Sequence, residues 1–160
     1  MIVDSQSAKA AHGGQSIGID GFKKVKGRKR HILVDVLGLL WSGLLTAANE
    51  ADGVILNQLV KPVSQLTRLE TVLGDGAYGI ADYPGRFKID YPHLNLEISK
   101  RPPGPKEFIP MPKRWIVEKF FSWVSMNRRT AKDYEKRVDT SMAFLQLSGI
   151  KRALSIISAS

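Results

Sequence analysis

Apolar and polar positions in the first half of the chain follow spacings that predict a strand pair and then a helix. His31–Val36 alternates as one strand, and the apolar run at 39–47 predicts a second strand, paired with the first across a turn at Gly38. Apolar residues at helical spacing predict a helix over about 50–66. Pro62 lies inside that helix and should kink or split it, because proline lacks the backbone N–H that a helix interior uses.

The second half of the pattern predicts two more strands and two more helices. Leu69–Gly74 is short and mostly apolar, which is typical of a buried parallel strand, and Leu94–Ile98 alternates as another strand. The strongest helical pattern runs from Arg114 to about 127, and a second runs from Asp139 to about 158. Five of the eight prolines lie within 101–113, so a loop is predicted there. Strands and helices in this order predict one α/β domain over the whole chain, with a mixed sheet flanked by helices.

The positive charge of the chain indicates what kind of partner this domain binds. The 160 residues carry 24 lysines and arginines against 15 acids, a net charge of +9. Phe22–Arg30 alone holds six cations in nine residues. This clustering favours a nucleic acid partner over a generally basic surface. Residues 5–28 otherwise lack a long apolar period and predict an exposed loop or hairpin.

Composition excludes several other classes of protein. Cysteine is absent, which excludes disulfides and thiolate metal sites. No apolar run reaches the roughly 18–20 residues that span a bilayer, and no secretory signal is visible. We therefore expect a cytoplasmic protein with no membrane partner.

Three acidic residues carry the candidate chemistry. Asp4 and Asp75 follow apolar runs, at what the pattern predicts to be the C-terminal ends of strands, where open α/β sheets bind ligands. Glu118 lies in an almost wholly apolar helical stretch, where a carboxylate is costly to bury unless it is paired, protonated or bound to metal. Carboxylates suit Mg²⁺, and two such ions about 4 Å apart can clamp a phosphoryl displacement. A metal site that acts on phosphate is therefore one interpretation of these acids.

Structural interpretations of the same residues stay open at this point. Arg114 and Glu118 are four apart on a helix and can form an ordinary ion pair. An aspartate at a strand end is often only a cap or turn residue, which applies to Asp4 and Asp75. Asp35 is a competing acid, ranked lower because its neighbours place it within a strand or near the hairpin.

Four stretches in order resemble the catalytic half of bacterial insertion-sequence transposases, which have an Asp-Asp-Glu triad and a ribonuclease H-like fold. Val3–Ser7 resembles the motif of the first aspartate, and Lys26–Asp35 resembles the basic hairpin segment that follows it. Leu73–Tyr78 resembles the motif of the second aspartate. Arg114–Trp123, with its basic continuation to 135, resembles the helix that carries the glutamate.

The resemblance implies metal-dependent cleavage and strand transfer of transposon DNA. Asp4, Asp75 and Glu118 would hold two Mg²⁺ ions, with Mn²⁺ able to substitute, and Arg114 would contact the DNA backbone or orient Glu118. The implied partners are double-stranded DNA, as transposon ends and target, and a second copy or an upstream-frame transposase product. The protein would join the nucleoid when bound to DNA. The alternative is a truncated, non-catalytic protein that binds DNA or inhibits transposition.

The chain departs from the family pattern at both ends of this resemblance. Met111 and Ser125 stand where relatives often have a tyrosine and a basic residue. Met1 lies three residues before Asp4, so the first strand is expected to be truncated and the N-terminal DNA-end-binding region absent.

The basic segment and the glutamate helix together predict the DNA contacts. Basic residues would bind phosphates without reading sequence, and an aromatic residue flanked by small ones could stack on a frayed base. The predicted DNA-binding residues are Lys23, Lys24, Lys26, Arg28, Lys29, Arg30, Tyr78, Arg114, Lys119, Arg128, Arg129 and Lys132.

Overall fold

A computed structural model of the protein describes residues 1–99 and 113–158. The loop predicted over 101–113, with Met111, lies outside the described residues apart from Lys113. Six strands among the described residues form one mixed sheet. They are β1 (Ile2–Lys9), β2 (Gly18–Asp20), β3 (Val25–Val34), β4 (Leu40–Ala47), β5 (Thr71–Gly74) and β6 (Asn95–Ile98).

Strand β3 organises the antiparallel half of the sheet. It pairs antiparallel with all of β1, from Ile2 opposite Val34 to Lys9 opposite Gly27. On its other edge it pairs first with β2 and then with β4. The parallel half consists of β1, β5 and β6 in that order. The predicted β3–β4 hairpin and the predicted parallel strand before Asp75 are both confirmed.

Four helices and two 3₁₀ turns connect the strands within the described residues. The helices are α1 (Asp52–Val60), α2 (Tyr83–Asp90), α3 (Arg114–Met126) and α4 (Val138–Ile157), and the turns are Lys61–Val63 and Gly76–Gly79. Proline at the start of the first turn ends the regular helix α1, so the split predicted at Pro62 is confirmed. The sequence pattern predicts no element over Tyr83–Asp90, so α2 is the helix that it missed.

The core occupies both faces of the sheet because successive side chains of a strand point to opposite sides. Val3 and Leu33 pack against α1, on what we call the α1 face. Ile2 and Ile32 pack against the apolar stripe of α3, on the α3 face, where the stripe comprises Ile116, Val117, Phe120, Phe121 and Val124. This is the mixed α/β architecture that the sequence predicted, and it is compatible with a ribonuclease H-like fold. None of the described helices has the length and apolar character needed to cross a membrane.

The start of the chain differs from the prediction in two ways. The expectation of a truncated first strand assumed that the strand ends at Asp4, but β1 has eight residues and continues to Lys9. Asp4 therefore lies within the strand and not at its C-terminal end. The segment 5–28 is also not an open loop: parts of β1, β2 and β3 lie in it and pair antiparallel, which is the hairpin alternative of the prediction.

Asp35, the competing acid, has a structural role in the β3–β4 turn. One of its carboxylate oxygens accepts hydrogen bonds from the backbone N–H groups of Leu37 and Leu39, at 2.8 and 3.0 Å. The other accepts from the indole Nε1 of Trp41 at 2.9 Å. Its carboxylate thus orders the hairpin turn.

Candidate active site

The register between β1 and β5 brings Asp4 level with Asp75. Ile2 pairs with Leu73 in parallel, and the backbone N–H of Leu73 donates to the carbonyl oxygen of Met1 at 2.9 Å. Asp4 comes two residues after Ile2, and Asp75 comes two residues after Leu73. Because side chains two residues apart in an extended chain point to the same side, both aspartates are directed to the α3 face, where Ile2 and Leu73 pack. The two carboxylates interact, since the charge of Asp75 raises the pKa of Asp4.

Asp4 is a poorly compensated carboxylate. Burial is the main cause that raises its pKa to about 6, and Asp75 adds to the rise. Three groups oppose the rise without cancelling it: the backbone N–H of Ser5, which donates to Asp4 Oδ1 at 2.7 Å, and the charges of Arg114 and Lys23. A bound cation would favour the ionised form of this group.

Helix α3 brings Arg114 and Glu118 to the same place. Arg114 Nη2 lies 3.6 Å from Asp4 Oδ2 and 3.9 Å from Glu118 Oε1. The Glu118 side chain is 58% exposed, so its ion pair with Arg114 stabilises the fold little. Further along the same face, Gln6 Nε2 donates to Ser125 Oγ at 3.3 Å. The polar stripe of α3 therefore runs beside β1, next to the acid that β1 carries.

Asp75 is held by the turn that follows it. Its Oδ1 accepts a hydrogen bond from the backbone N–H of Ala77 at 2.9 Å, and its carbonyl oxygen accepts from the N–H of Tyr78 at 3.1 Å. The side chain thus caps the 3₁₀ turn Gly76–Gly79. Asp75 therefore has the cap role that the sequence left open, and the same hydrogen bond fixes the direction of its carboxylate.

The donor chemistry of these residues fits a hard divalent cation. Within residues 1–99 and 113–158, no group of three or more histidine, aspartate or glutamate side chains lies close enough to enclose one metal ion. Mg²⁺ does not need such a cage, because it keeps several waters and binds through one or two carboxylates. Asp4 with Asp75, and Asp4 with Glu118, are pairs that meet this requirement. In this structure the positively charged guanidinium of Arg114 lies close to the carboxylates of both Asp4 and Glu118.

Three of the predicted DNA-binding cations are buried and bind partners inside the protein. Arg28 is 0% exposed and donates to Asp133 Oδ2 at 2.7 Å and to the carbonyl oxygens of three further residues, Gln15, Glu135 and Lys136. Lys29 donates to the carbonyl oxygen of Glu50, and Arg30 to that of Thr130, both at 2.7 Å. Direct DNA contact by these three does not fit their burial, so we leave them out of the DNA surface.

Tyr78 is also inside the protein. Its ring belongs to the core on the α1 face, and the residue is 1% exposed. It therefore cannot stack on a base in this conformation, although small residues flank it as the sequence showed. His31 is equally buried and lies 2.8 Å from Thr46 Oγ1 through its Nε2, which is a structural contact.

The remaining predicted cations are accessible. Lys23, Lys24, Lys26, Lys119, Arg128 and Lys132 are exposed, and Arg114 is partly buried at the acids. Lys23 also lowers the pKa of Asp4, so its charge acts on the candidate site. Arg129 forms an ion pair with Glu135 and stacks over the ring of Phe144, 4.7 Å from the centroid.

Sequence reasoning missed two acids that matter to this arrangement, Asp133, which is buried, and Asp52, which is partly buried. Asp133 pairs with Arg28, and Asp52 pairs with Lys29 at 3.1 Å. Neither acid has a local signal, because each partner lies far away in the sequence and only the sheet brings them together.

A family model described as a transposase DDE domain matches residues 1–148. No curated protein and no solved structure matches the chain.

Proposed function

The chain belongs to the transposase DDE domain family, and from that premise we propose that it cuts and joins the ends of a mobile DNA element. Asp4, Asp75 and Glu118 hold the divalent ions in this proposal. One observation carries it beyond the family: the guanidinium of Arg114 lies within 4 Å of both Asp4 and Glu118, while the charge of Asp75 acts on Asp4 from the neighbouring strand. Asp4 therefore interacts with Asp75, which follows β5, and with Arg114 of α3, which also pairs with Glu118, although the three acids are far apart in the sequence.

The three carboxylates have different surroundings and therefore different roles. Asp4, which is partly buried, is the shared ligand, and a cation would stabilise the ionised form that burial, and to a lesser degree the charge of Asp75, disfavours. Asp75 presents its carboxylate from a turn that it caps itself. Glu118 is the most exposed of the three and is open to solvent. When bound, Mg²⁺ or Mn²⁺ would activate the attacking water or 3′-hydroxyl and stabilise charge on the phosphate.

Arg114 links the acids to the substrate. Its side chain is 22% exposed and already lies between two carboxylates. In the proposal its guanidinium would bind a DNA phosphate when the acids hold a cation, because a guanidinium binds phosphate in a bidentate manner. The exposed lysines 23, 24, 26 and 119, together with Arg128 and Lys132, bind further phosphates and hold the duplex without reading its sequence.

The test is cleavage of a supercoiled plasmid that carries the DNA flanking the chain's own gene, in Mg²⁺ or Mn²⁺. The chain is assayed alone and together with any product encoded directly upstream. Asp75→Asn and Glu118→Gln keep the size of each side chain and remove its charge. We expect each to lower cleavage by on the order of a hundredfold or more, because charge stabilisation at the phosphate is lost.

Asp82→Asn is the matched control, since Asp82 is an exposed aspartate whose ion pair with Arg86 is at the surface. It should cleave like the parent. Equal nicking by Asp75→Asn and the parent would remove the catalytic assignment. Salt-sensitive DNA binding without metal-dependent cleavage in any arm would instead favour a non-catalytic DNA-binding protein.

A further inference from the structure

A cluster of buried polar groups lies under the turn that carries Asp75, on the α1 face of the sheet. Three buried side-chain atoms in the described part of the chain lack a hydrogen-bond partner: the hydroxyl of Tyr78, Nδ1 of His31 and Oδ1 of Asp52. Tyr78 and His31 are almost completely inaccessible to solvent. Unsatisfied polar groups of this kind cost free energy, and their clustering suggests a role beyond packing.

Two of these atoms, from Asp52 and His31, lie close together, and the ring of Tyr78 packs in the core cluster of α1, the helix that begins at Asp52. Asp52 Oδ1 lies 3.8 Å from His31 Nδ1 and 3.1 Å from Lys29 Nζ, the latter at ion-pair distance but without hydrogen-bond geometry. Asp52 is also the charge that acts most strongly on the Tyr78 phenol: after burial, it is the largest cause that raises the pKa of that hydroxyl. Asp52 forms an ion pair with Lys29, and its carboxylate can accept a hydrogen bond. A neutral phenol is the donor that the cluster offers to it.

Tyr78 is connected to Asp75 through the backbone of the same short turn. The N–H of Tyr78 donates to the carbonyl oxygen of Asp75, and the N–H of Ala77 donates to Asp75 Oδ1. The ring of Tyr78 also packs on Gly74, where an added Cβ would lie 3.0 Å from Tyr78 Cδ2. Because the ring contacts the residue before Asp75 and its N–H contacts Asp75 itself, any shift of Tyr78 tilts that carboxylate.

We propose that Tyr78 is a positioning residue for Asp75: its buried hydroxyl, which lacks a direct partner, donates to a water that bridges it to Asp52, and this bridge clamps the Gly76–Gly79 turn to the start of α1. The proposal deepens the proposed function, because it treats Asp75 as a metal ligand. The ion pair between Lys29 and Asp52 would then fix the position of the carboxylate that accepts the hydrogen bond. A carboxylate acceptor makes such a bond stronger than one between neutral groups.

Tyr78→Phe tests the clamp because it removes only the hydroxyl. Two readouts are measured on the full chain: amide hydrogen exchange at residues 77 and 78 by NMR, and Mn²⁺ affinity by calorimetry. We expect faster exchange at those two amides and an affinity for Mn²⁺ weakened about tenfold, as for other groups that orient a metal ligand. Packing of the ring is retained, so the melting temperature should change by no more than a few degrees.

Tyr83→Phe is the matched control. Tyr83 lies in the same region, with its ring over Gly53, and the substitution removes the same hydroxyl from a residue outside the cluster. It should leave both readouts at parental values. If Tyr78→Phe also exchanges and binds Mn²⁺ like the parent, the positioning role is wrong.

Asp52→Asn keeps the proposal testable if Tyr78→Phe does not fold. It removes the acceptor charge from the far side of the clamp and should reproduce both effects. Asp75→Asn separates this proposal from the proposed function. If Asp75→Asn binds Mn²⁺ like the parent, the metal assignment fails, while exchange at residues 77 and 78 still decides the role of Tyr78.

Discussion

His31 shows how one buried residue makes the fold sensitive to pH. Burial is the main cause that lowers its pKa to about 4; the charge of Lys29 lowers it further and that of Asp52 opposes. In the unfolded chain a histidine titrates near 6.5. Between about pH 6.5 and 4 the unfolded chain binds a proton that the folded chain does not. Stability from this residue is therefore complete above about pH 6.5 and is lost as the pH falls toward 4.

We expect the free energy of unfolding in urea to fall between pH 7.5 and pH 5 by about 1–2 kcal/mol more in the parent than in His31→Gln. Asp4 acts in the opposite sense, because its raised pKa makes the folded chain bind a proton first. Since Asp4 is present in both proteins, its effect cancels in the comparison. Parallel pH profiles for the two proteins would show that His31 does not titrate as its burial requires.

The acids of the site and the cations around it differ in how far sequence could predict them. Asp4, Asp75 and Glu118 could be selected because each stands out against apolar neighbours and follows a recognisable order. Arg28 looked like its exposed neighbour Lys26, since both belong to the same basic run. Their difference arises from pairing partners such as Asp133, far away in the sequence, and no local pattern carries that information.

At the scale of elements, Arg28 joins β3 to the segment that follows α3. Its guanidinium binds the carboxylate of Asp133 and the carbonyl oxygens of Glu135 and Lys136, while Asp133 pairs with the end of β1 through a parallel bridge at Ala10. This contact holds the loop that presents Arg128 and Lys132 against the sheet. The buried cation therefore supports the exposed ones instead of acting like them.

We expect Arg28→Met to lower the free energy of unfolding by about 3–5 kcal/mol, because it leaves the Asp133 carboxylate buried without its partner. Arg128→Met is the control, since this residue is exposed and should change stability by no more than about 0.5 kcal/mol. Urea unfolding of both variants at pH 7.5 measures the difference. Equal stabilities would mean that the Arg28–Asp133 pair contributes nothing net to the fold.

Element prediction succeeded where the apolar period was strong and failed where pairing overrides it. α3 and α4 were predicted to within a residue at their ends. The apolar stripe of α3 is buried along the helix, whereas α4 buries only Leu145 among its large apolar side chains. β1 was underestimated, since Ser5, Gln6 and Ser7 carry no strand signal and are held by β3 along their length. α2 was missed because its face toward the core rests largely on one buried side chain, Phe87. Long-range pairing is not visible in a local window.

At the scale of the whole molecule, Asp4 of the candidate site and exposed positive charge lie along one strand, β1. Lys9 at the end of β1 pairs with Gly27, next to the exposed Lys26, and its neighbour Ala10 bridges to Asp133 in the second basic segment. Asp4 lies five residues earlier in β1, a separation of about 17 Å along an extended strand. A duplex carries several phosphates over that distance, so one DNA molecule can contact both regions.

This arrangement predicts which cations set the salt dependence of DNA binding. Each phosphate contact contributes about 0.9 to the slope of log affinity against log salt, so the triple variant Lys23→Ala/Lys24→Ala/Lys26→Ala should flatten that slope by about two to three. Fluorescence anisotropy with a labelled 30-base-pair duplex at several salt concentrations measures it. The matched control removes three other exposed cations, Lys61, Arg68 and Lys88, which lie around α1 and α2. Both variants lose the same net charge, so only a phosphate-binding surface separates them. Equal flattening in the two would mean that general basicity, and not this surface, binds the DNA.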